Sequence, residues 1–164
     1  MKNKKVLVVQ GGVSGERNVS LDSGRACVKA LKKKGYNVST FDPKKKLYKS
    51  IKRNKIDFIF NALHGKEGED GVAQSYFEYL KIPYTHSGVI SSSNAMNKII
   101  SKKIFIKNNI KSPKYFVIEK NNFNQIKLKE SIDAKKINFP IVVKPINEGS
   151  SIGVKICENI LDLY

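Results

Sequence analysis

Short apolar runs alternate with helical patterns between residues 5 and 88 of this chain, and this alternation restricts the folds that it can adopt. The run at 6–9 is continuously apolar, which is typical of a strand buried on both faces of a sheet. Strands that alternate with helices predict an α/β domain with a parallel sheet. The predicted elements are strand 6–9, helix 20–34, strand 37–41, a short helix at 47–53, strand 58–63, helix 72–80 and strand 83–85.

The first predicted helix carries recognisable signals at both ends. Ser20 is suited to cap its start, and Lys32 to Lys34 are suited to the negative end of its dipole. Gly35 can end it.

A second unit is predicted after residue 90, and it has a different character. It opens with one long helical pattern at 91–108 and restarts after Ser112-Pro113. Strands are predicted at 115–118, 141–144 and 154–156, with a polar helix between the first two and the start of a helix at 161–164. This pattern predicts an antiparallel α+β unit that is unfinished.

The formal charge of +17 raises the possibility of a nucleic-acid partner. However, the 31 basic residues are all Lys apart from Arg17, Arg25 and Arg53, and base readout favours Arg. The Lys are also scattered over predicted turns and exposed helix faces. We therefore interpret them as a solvated surface and expect neither a nucleic-acid nor a membrane partner.

Targeting and redox signals point to a cytoplasmic protein. No run approaches the roughly 20 apolar residues of a membrane-spanning helix, and no signal peptide precedes the first strand. Cys27 and Cys157 are far apart and belong to no metal-binding pattern, so two reduced thiols are expected.

The loop after the first strand, Gly11 to Arg17, is the first candidate site. It departs from the GxGxxG dinucleotide fingerprint, and Asp42, near the position of a ribose-binding acid, is better explained as part of an Asp-Pro turn. Glu16 could hold a substrate ammonium group, or it could be a carboxylate at a helix start.

The loop at 62–71 is the second candidate site. It combines three glycines, His64 and three carboxylates directly after a buried strand. His64 could contact a substrate or a developing negative charge, or it could be a structural histidine. His86 is interpreted as structural.

The third candidate site spans 139–154. Lys144 ends a predicted buried strand, and a small-residue turn with Glu148, Gly149, Ser150 and Ser151 follows it. An ammonium group and converging backbone N–H groups can together hold a polyphosphate. The sequence is not a Walker loop, because GxxxxGK[ST] is absent.

Five ordered motifs resemble the D-alanine–D-alanine ligase family, which belongs to the ATP-grasp group. They are Gly-Gly-x-Ser-x-Glu-Arg-x-Val-Ser-Leu at 11–21, Ala-Leu-His-Gly with Gly-Glu-Asp-Gly at 62–71, Pro-Tyr-Thr-x-Ser-Gly-Val at 83–89, Met-Asn-Lys at 96–98 and Val-Lys-Pro with Glu-Gly-Ser-Ser at 143–151. The resemblance covers about Lys5 to Ile156.

The resemblance implies a fold with two parts in this chain. It places a parallel three-layer, Rossmann-like (pre-ATP-grasp) domain at 1–90. The connecting helix and an incomplete α+β lid subdomain of the ATP-grasp fold would occupy 91–164. The carboxyl-terminal domain for ATP and magnesium is expected to be absent.

The resemblance also implies the chemistry. ATP would activate the carboxylate of one D-alanine as an acyl phosphate, and the amine of a second D-alanine would displace phosphate to give a dipeptide for peptidoglycan. Glu16 would bind the first D-alanine with Ser150 in its hydrogen-bonded network, and His64 would lie nearby. Contacts to ATP would come from Lys98, Lys144, Glu148, Gly149, Ser150 and Ser151.

The resemblance leaves several expectations open. Asn97 stands where family members carry Asp, and a modest effect is expected. Ligands of Mg²⁺ (or Mn²⁺) are expected beyond Tyr164, so the chain alone should be inactive, and the full-length form should be a homodimer. The alternatives are a basic α/β binding module without catalysis, or an ATP-grasp ligase with a different second substrate.

Overall fold

The computed structural model describes residues 4–45, 48–119, 121 and 123–164. The chain divides into two compact units, residues 1–96 and residues 97–164. The predicted boundary after residue 90 falls inside Val89–Met96, the helix with which the first unit ends.

The first unit is built on a parallel sheet of three strands. These are β1 (Lys5–Val9), β2 (Asn37–Phe41) and β3 (Phe58–Asn61), in the order β2-β1-β3. Both pairings are parallel, with Val6 opposite Val38 on one side and opposite Phe58 on the other. The predicted parallel α/β architecture is confirmed.

Residues 83–85, predicted as a strand, extend this sheet by a single bridge. Tyr84 pairs in parallel with Ile59, whose N–H donates to the Pro83 carbonyl at 2.8 Å. The pairing stops there, so these residues form no regular strand.

Helices and short turns complete the first unit. The helices are α1 (Arg17–Lys33), α2 (Val72–Tyr79) and α3 (Val89–Met96). Where a short helix was predicted at 47–53, two 3-10 turns occur at Tyr48–Ser50 and Arg53–Lys55. Residue 47 lies outside the described residues.

The central strand explains why the unit has a core on both faces of its sheet. Leu7 and Val9 join the large buried cluster that includes Ile59 and Phe77. Val6 and Val8 alternate with them along β1 and therefore point to the opposite face, where they are buried as well. This matches the continuous apolar run that predicted the strand.

Ser20 is not a helix cap, contrary to the prediction. Helix α1 begins at Arg17, so Ser20 lies inside it and is fully buried. Its hydroxyl donates to the Ala62 carbonyl at 2.6 Å and accepts from the Gly11 N–H at 2.8 Å. The side chain therefore connects the helix to the loops after β1 and β3, which local helix signals cannot reveal.

The second unit contains two helices and a short antiparallel sheet. Its elements are α4 (Lys98–Lys107), α5 (Gln125–Lys135), β4 (Ile141–Val143), β5 (Lys155–Cys157) and a 3-10 turn at Leu161–Leu163. The predicted antiparallel pairing is confirmed, with Val142 opposite Ile156. The core is small and contains Leu128, Ile132 and Ile141.

Two predictions for the second unit are wrong. Among the described residues, 115–118 have no strand partner, and the apolar run instead contributes Phe116 to the small core. The predicted helix start at 161–164 is only the 3-10 turn.

The predicted long helix at 91–108 is two helices separated by Asn97. Asn97 has an extended backbone, and its side-chain oxygen accepts hydrogen bonds from the N–H groups of Ile99 at 3.0 Å and Ile100 at 3.1 Å. This is a standard N-cap. The periodicity continues across the break, but the cap stops α3 and starts α4.

Two further predictions concern the membrane and the cysteines. No helix within the described parts of the chain combines the length and the apolar character needed to cross a membrane. Cys27 and Cys157 are both free thiols, as predicted.

Candidate active site

The strand order places a crevice beside β1. The chain moves from β1 to β2 on one side and then crosses to β3 on the other, so the direction of winding reverses between β1 and β3. Open α/β sheets bind ligands at such a point, outside the carboxyl ends of the strands. The loop after β1 (residues 10–16) and the loop after β3 (residues 62–71) both leave the sheet there.

Glu16 lies where these two loops meet, and it is buried with 6% of its surface exposed. A Cβ atom placed on Gly65 would come within 2.9 Å of Glu16 Oε1, so the carboxylate lies against the backbone of the second loop. Glu16 precedes α1, but its side chain makes no capping hydrogen bond. Both roles of the carboxylate, at the helix start and in substrate binding, stay predictions.

Ser14 joins the two loops. Its hydroxyl donates to the His64 carbonyl at 2.7 Å and accepts from the Glu16 N–H at 3.2 Å. The backbone of Glu16 is thereby held to the start of the second loop.

His64 has partners on both sides of its ring. Nε2 lies 3.2 Å from Ser23 Oγ, and Nδ1 lies 3.6 Å from Glu69 Oε1. The side chain remains about a third exposed. Because one ring nitrogen faces a hydroxyl and the other a carboxylate, the imidazole is oriented yet accessible.

Asp42 follows β2 and forms the predicted turn, since the Lys45 N–H donates to its carbonyl at 3.0 Å. The sequence did not reveal its ion pair with Arg17, in which Nη1 and Nη2 lie 3.0 and 2.6 Å from the two carboxylate oxygens. The hydrogen bonds from Arg17 lower the pKa of Asp42 to about 2, and those from the Gly12 and Lys44 N–H groups contribute. This acid is engaged within the protein.

The interaction described for the His86 side chain is with a backbone carbonyl group. Its Nε2 lies 2.8 Å from the Asn61 carbonyl oxygen at the end of β3. This contact agrees with the interpretation of His86 as a structural residue.

The second unit brings the predicted phosphate-binding lysines into one electrostatic cluster. Lys98 Nζ donates to the Ile146 carbonyl at 3.2 Å and also contacts the Glu148 carbonyl. Burial lowers the pKa of Lys98, the charge of Lys144 lowers it further, and Glu148 opposes the shift. Two ammonium groups that repel each other can be stabilised by an anion between them.

Lys102 is a third member of this cluster, and the sequence analysis missed it. Its Nζ donates to Ser112 Oγ at 2.7 Å and the Pro113 carbonyl at 2.8 Å, and it lies 5.0 Å from the Tyr115 ring centroid. Burial lowers its pKa, and the charge of Lys144 adds to the shift. Its spacing of four residues from Lys98 along α4 was a usable signal, because such residues share a helix face.

The turn at 149–153 is exposed and has an unusual backbone. Ser150 and Ser151 have φ values of 46° and 61°, in the left-handed region that side chains rarely adopt. The Ile152 N–H donates to the Gly149 carbonyl at 2.9 Å and closes the turn. Glu16 and Ser150 belong to different units, and their shared network stays a prediction.

Comparison with known proteins gives matches in both units. The family model described as the D-ala D-ala ligase N-terminus matches residues 40–87, and the model described as the D-ala D-ala ligase C-terminus matches residues 104–164. The D-alanine–D-alanine ligase of Pelagibacter ubique is 57% identical over 157 residues, which are 94% of this chain and 50% of that protein.

Solved structures agree with these matches. The D-alanine–D-alanine ligase of Bacillus anthracis is 38% identical with a TM-score of 0.81, over 98% of this chain and 51% of that chain. The same enzyme complexed with ATP gives 36% identity and a TM-score of 0.79, over 98% of this chain and 52% of that chain. These relatives have the ATP-grasp fold, as predicted. The chain therefore belongs to the D-alanine–D-alanine ligase family, and it spans about half the length of the relatives that it matches.

Proposed function

We propose that this chain forms part of an ATP-dependent ligase that joins two D-alanine molecules for peptidoglycan synthesis. The observation that carries the proposal is the position of Glu16, a buried carboxylate that lies against Gly65 at the switch point of the sheet. A carboxylate at this edge can form an ion pair with a cation, and the ammonium group of an amino acid is such a cation.

His64 is proposed to orient the same substrate. Its imidazole is fixed between Ser23 and Glu69 and is partly exposed, so it can face a carboxylate group. Together, Glu16 and His64 offer a carboxylate and an imidazole for the two ends of a zwitterionic amino acid.

The phosphates of ATP are proposed to bind in the second unit. Lys98 and Lys144 repel each other, and polyphosphate between them would relieve that repulsion. The turn with Glu148, Gly149, Ser150 and Ser151 is exposed or half-buried and is proposed to close over the phosphates.

The ligands of Mg²⁺ (or Mn²⁺) are proposed to lie outside the residues described above. Within the described residues, no group of three or more His, Cys, Asp or Glu side chains is placed to hold a metal ion. The metal would offset the charge of the phosphates.

The full-length form is proposed to be a cytoplasmic homodimer whose partners are ATP and D-alanine. The relatives named as D-alanine–D-alanine ligases support this assignment of substrates. Light scattering of the purified full-length product would measure the oligomeric state.

A comparison of two protein lengths tests the proposal. We expect residues 1–164 to release no phosphate from ATP with D-alanine, and a product extended by about a domain length to do so. Activity of the short chain would contradict the placement of the missing ligands. Phosphate release by the extended product without any dependence on D-alanine would contradict the function.

A substitution at Glu16 tests the role of that residue in the extended product. Glu16→Gln should raise KM for D-alanine roughly 10- to 100-fold, because a charge-assisted hydrogen bond contributes about 1.5–3 kcal/mol. Glu130→Gln, the same exchange at an exposed position of α5, is the matched control and should leave KM unchanged. Equal KM values for the two variants would remove Glu16 from the site.

A further inference from the structure

The Arg17–Asp42 ion pair spans the carboxyl edge of the sheet. Arg17 is the first residue of α1 and directly follows Glu16, whereas Asp42 directly follows β2. The pairing is bidentate, at 2.6 and 3.0 Å, and the two side chains are only 21% and 14% exposed. A planar guanidinium held at two points has little freedom to move.

Both members of the pair also hold Gly12 in the loop after β1. Arg17 Nη1 donates to the Gly12 carbonyl at 2.7 Å, and the Gly12 N–H donates to Asp42 Oδ1 at 3.1 Å. Both backbone hydrogen-bonding groups of Gly12 are therefore occupied by the pair. Gly12 lies near the start of the loop that leads to Glu16. The start of this loop is therefore held by Arg17, the residue directly after Glu16.

The ion pair packs directly against the backbone of Gly11. The φ of Gly11 is +88°, and a Cβ atom there would lie 2.7 Å from Asp42 Oδ1 and 2.8 Å from Arg17 Nη1. The pair occupies the space that a side chain at Gly11 would need. The absence of a side chain at Gly11 thus leaves space for the ion pair.

We propose that Arg17 and Asp42 are positioning residues for Glu16, and that they set the point at which a substrate ammonium is bound. The inference rests on the proposed function of Glu16. The Ser14 hydroxyl accepts from the Glu16 N–H on one side, and Arg17, the residue after Glu16, is held to the Gly12 carbonyl on the other. Loss of the pair would release the loop and displace the carboxylate without removing it.

Ionisation does not limit this device near neutral pH. The pKa of Asp42 is lowered to about 2, so its carboxylate stays charged wherever such an enzyme would be assayed. The other groups in contact with the pair are backbone groups of Gly12 and Lys44.

The test is made on the extended ligase product with Asp42→Asn and the conservative Arg17→Lys. A displacement of about 1 Å can reduce catalysis by up to 10²-fold, so we expect KM for D-alanine to rise at least about tenfold. KM for ATP should stay within about twofold. Asp22→Asn is the control, because Asp22 forms an exposed ion pair with Arg25 on the same helix.

A second measurement separates this inference from the function itself. Hydrogen exchange by mass spectrometry on peptides that cover 10–18 should show faster exchange in Asp42→Asn than in Asp22→Asn, whether or not the enzyme acts on D-alanine. Faster exchange in Asp42→Asn, combined with an unsubstituted extended product that does not act on D-alanine, would support the positioning device and contradict the proposed function. Unchanged exchange, or an unchanged KM for D-alanine in a folded and active Asp42→Asn, would overturn the inference.

Discussion

Replacement of Ser20 should destabilise the first unit far more than the loss of a helix cap would. Its hydroxyl is fully buried, donates to the Ala62 carbonyl at 2.6 Å and accepts from the Gly11 N–H at 2.8 Å. Ser20→Ala leaves both groups without this partner. Each unsatisfied buried group costs about 1–3 kcal/mol, so the free energy of unfolding should fall by roughly 2–6 kcal/mol.

Ser20→Gly distinguishes this role from a cap. At a cap, glycine costs only a few tenths of a kcal/mol relative to serine. In the interior of α1 it should cost about as much as Ser20→Ala, with roughly 1 kcal/mol more for a glycine inside a helix. Alanine is therefore the more destabilising replacement if Ser20 is a cap, and glycine is the more destabilising one if Ser20 lies inside the helix.

Urea denaturation followed by far-UV circular dichroism measures both variants. With a slope of about 2 kcal/mol per M, the midpoint should fall by roughly 1–3 M. Ser75→Ala is the control, since Ser75 is exposed on α2 and its hydroxyl donates to the Val72 carbonyl. A loss below about 1 kcal/mol for Ser20→Gly would refute the connecting role of the buried hydroxyl.

Three further predictions concern charge, a helix cap and a glycine. Because the pKa of Asp42 is lowered in the folded state, its stabilising effect is present above about pH 4 and is lost as the pH falls toward about 2. Urea titrations at several pH values should therefore show that the difference in unfolding free energy between the wild type and Asp42→Asn shrinks over that range. Asn97→Ala should lower the stability by about 1 kcal/mol because it removes the cap of α4. Asn97→Asp should be at least as stable as the wild type, because a carboxylate favours a helix start. Thermal melts compare the variants, and an Asn97→Ala variant as stable as the wild type would contradict the capping geometry. Gly65→Ala should raise KM for D-alanine in the extended product, because the added Cβ would lie 2.9 Å from Glu16 Oε1 and the φ of Gly65 is +66°. Gly88→Ala is the control. An unchanged KM in Gly65→Ala would show that Glu16 is not part of the D-alanine site.

Patterns along the chain were enough to predict the parallel α/β layer and the loops that carry polar residues. A continuous apolar run at 6–9 is typical of a strand buried on both faces, and strands that alternate with helices favour parallel pairing. Short-range signals of this kind depend on neighbours along the chain. They were sufficient for β1 to β3, for the antiparallel β4–β5 pair and for the resemblance to the ligase family.

Local sequence patterns gave wrong predictions where a few atoms determine a helix end, a hydrogen bond or a strand pairing. The apolar spacing across 91–108 continues through Asn97, although the side chain of Asn97 ends one helix and begins the next. Ser20 has the chemistry of a cap, but the start of α1 at Arg17 places it in the interior. Residues 115–118 have the composition of a strand, and composition does not supply a partner.

The residues that hold Glu16 in place could not be predicted from the sequence, because they meet through tertiary contacts. Arg17 and Asp42 are separated by 25 residues, and Ser14 lies 50 residues from His64. Their contacts exist because the order β2-β1-β3 brings the ends of all three strands to one edge of the sheet. The sequence indicated which residues could do the chemistry, whereas strand order determined which of them meet, because contacts between distant residues form only once the sheet is assembled.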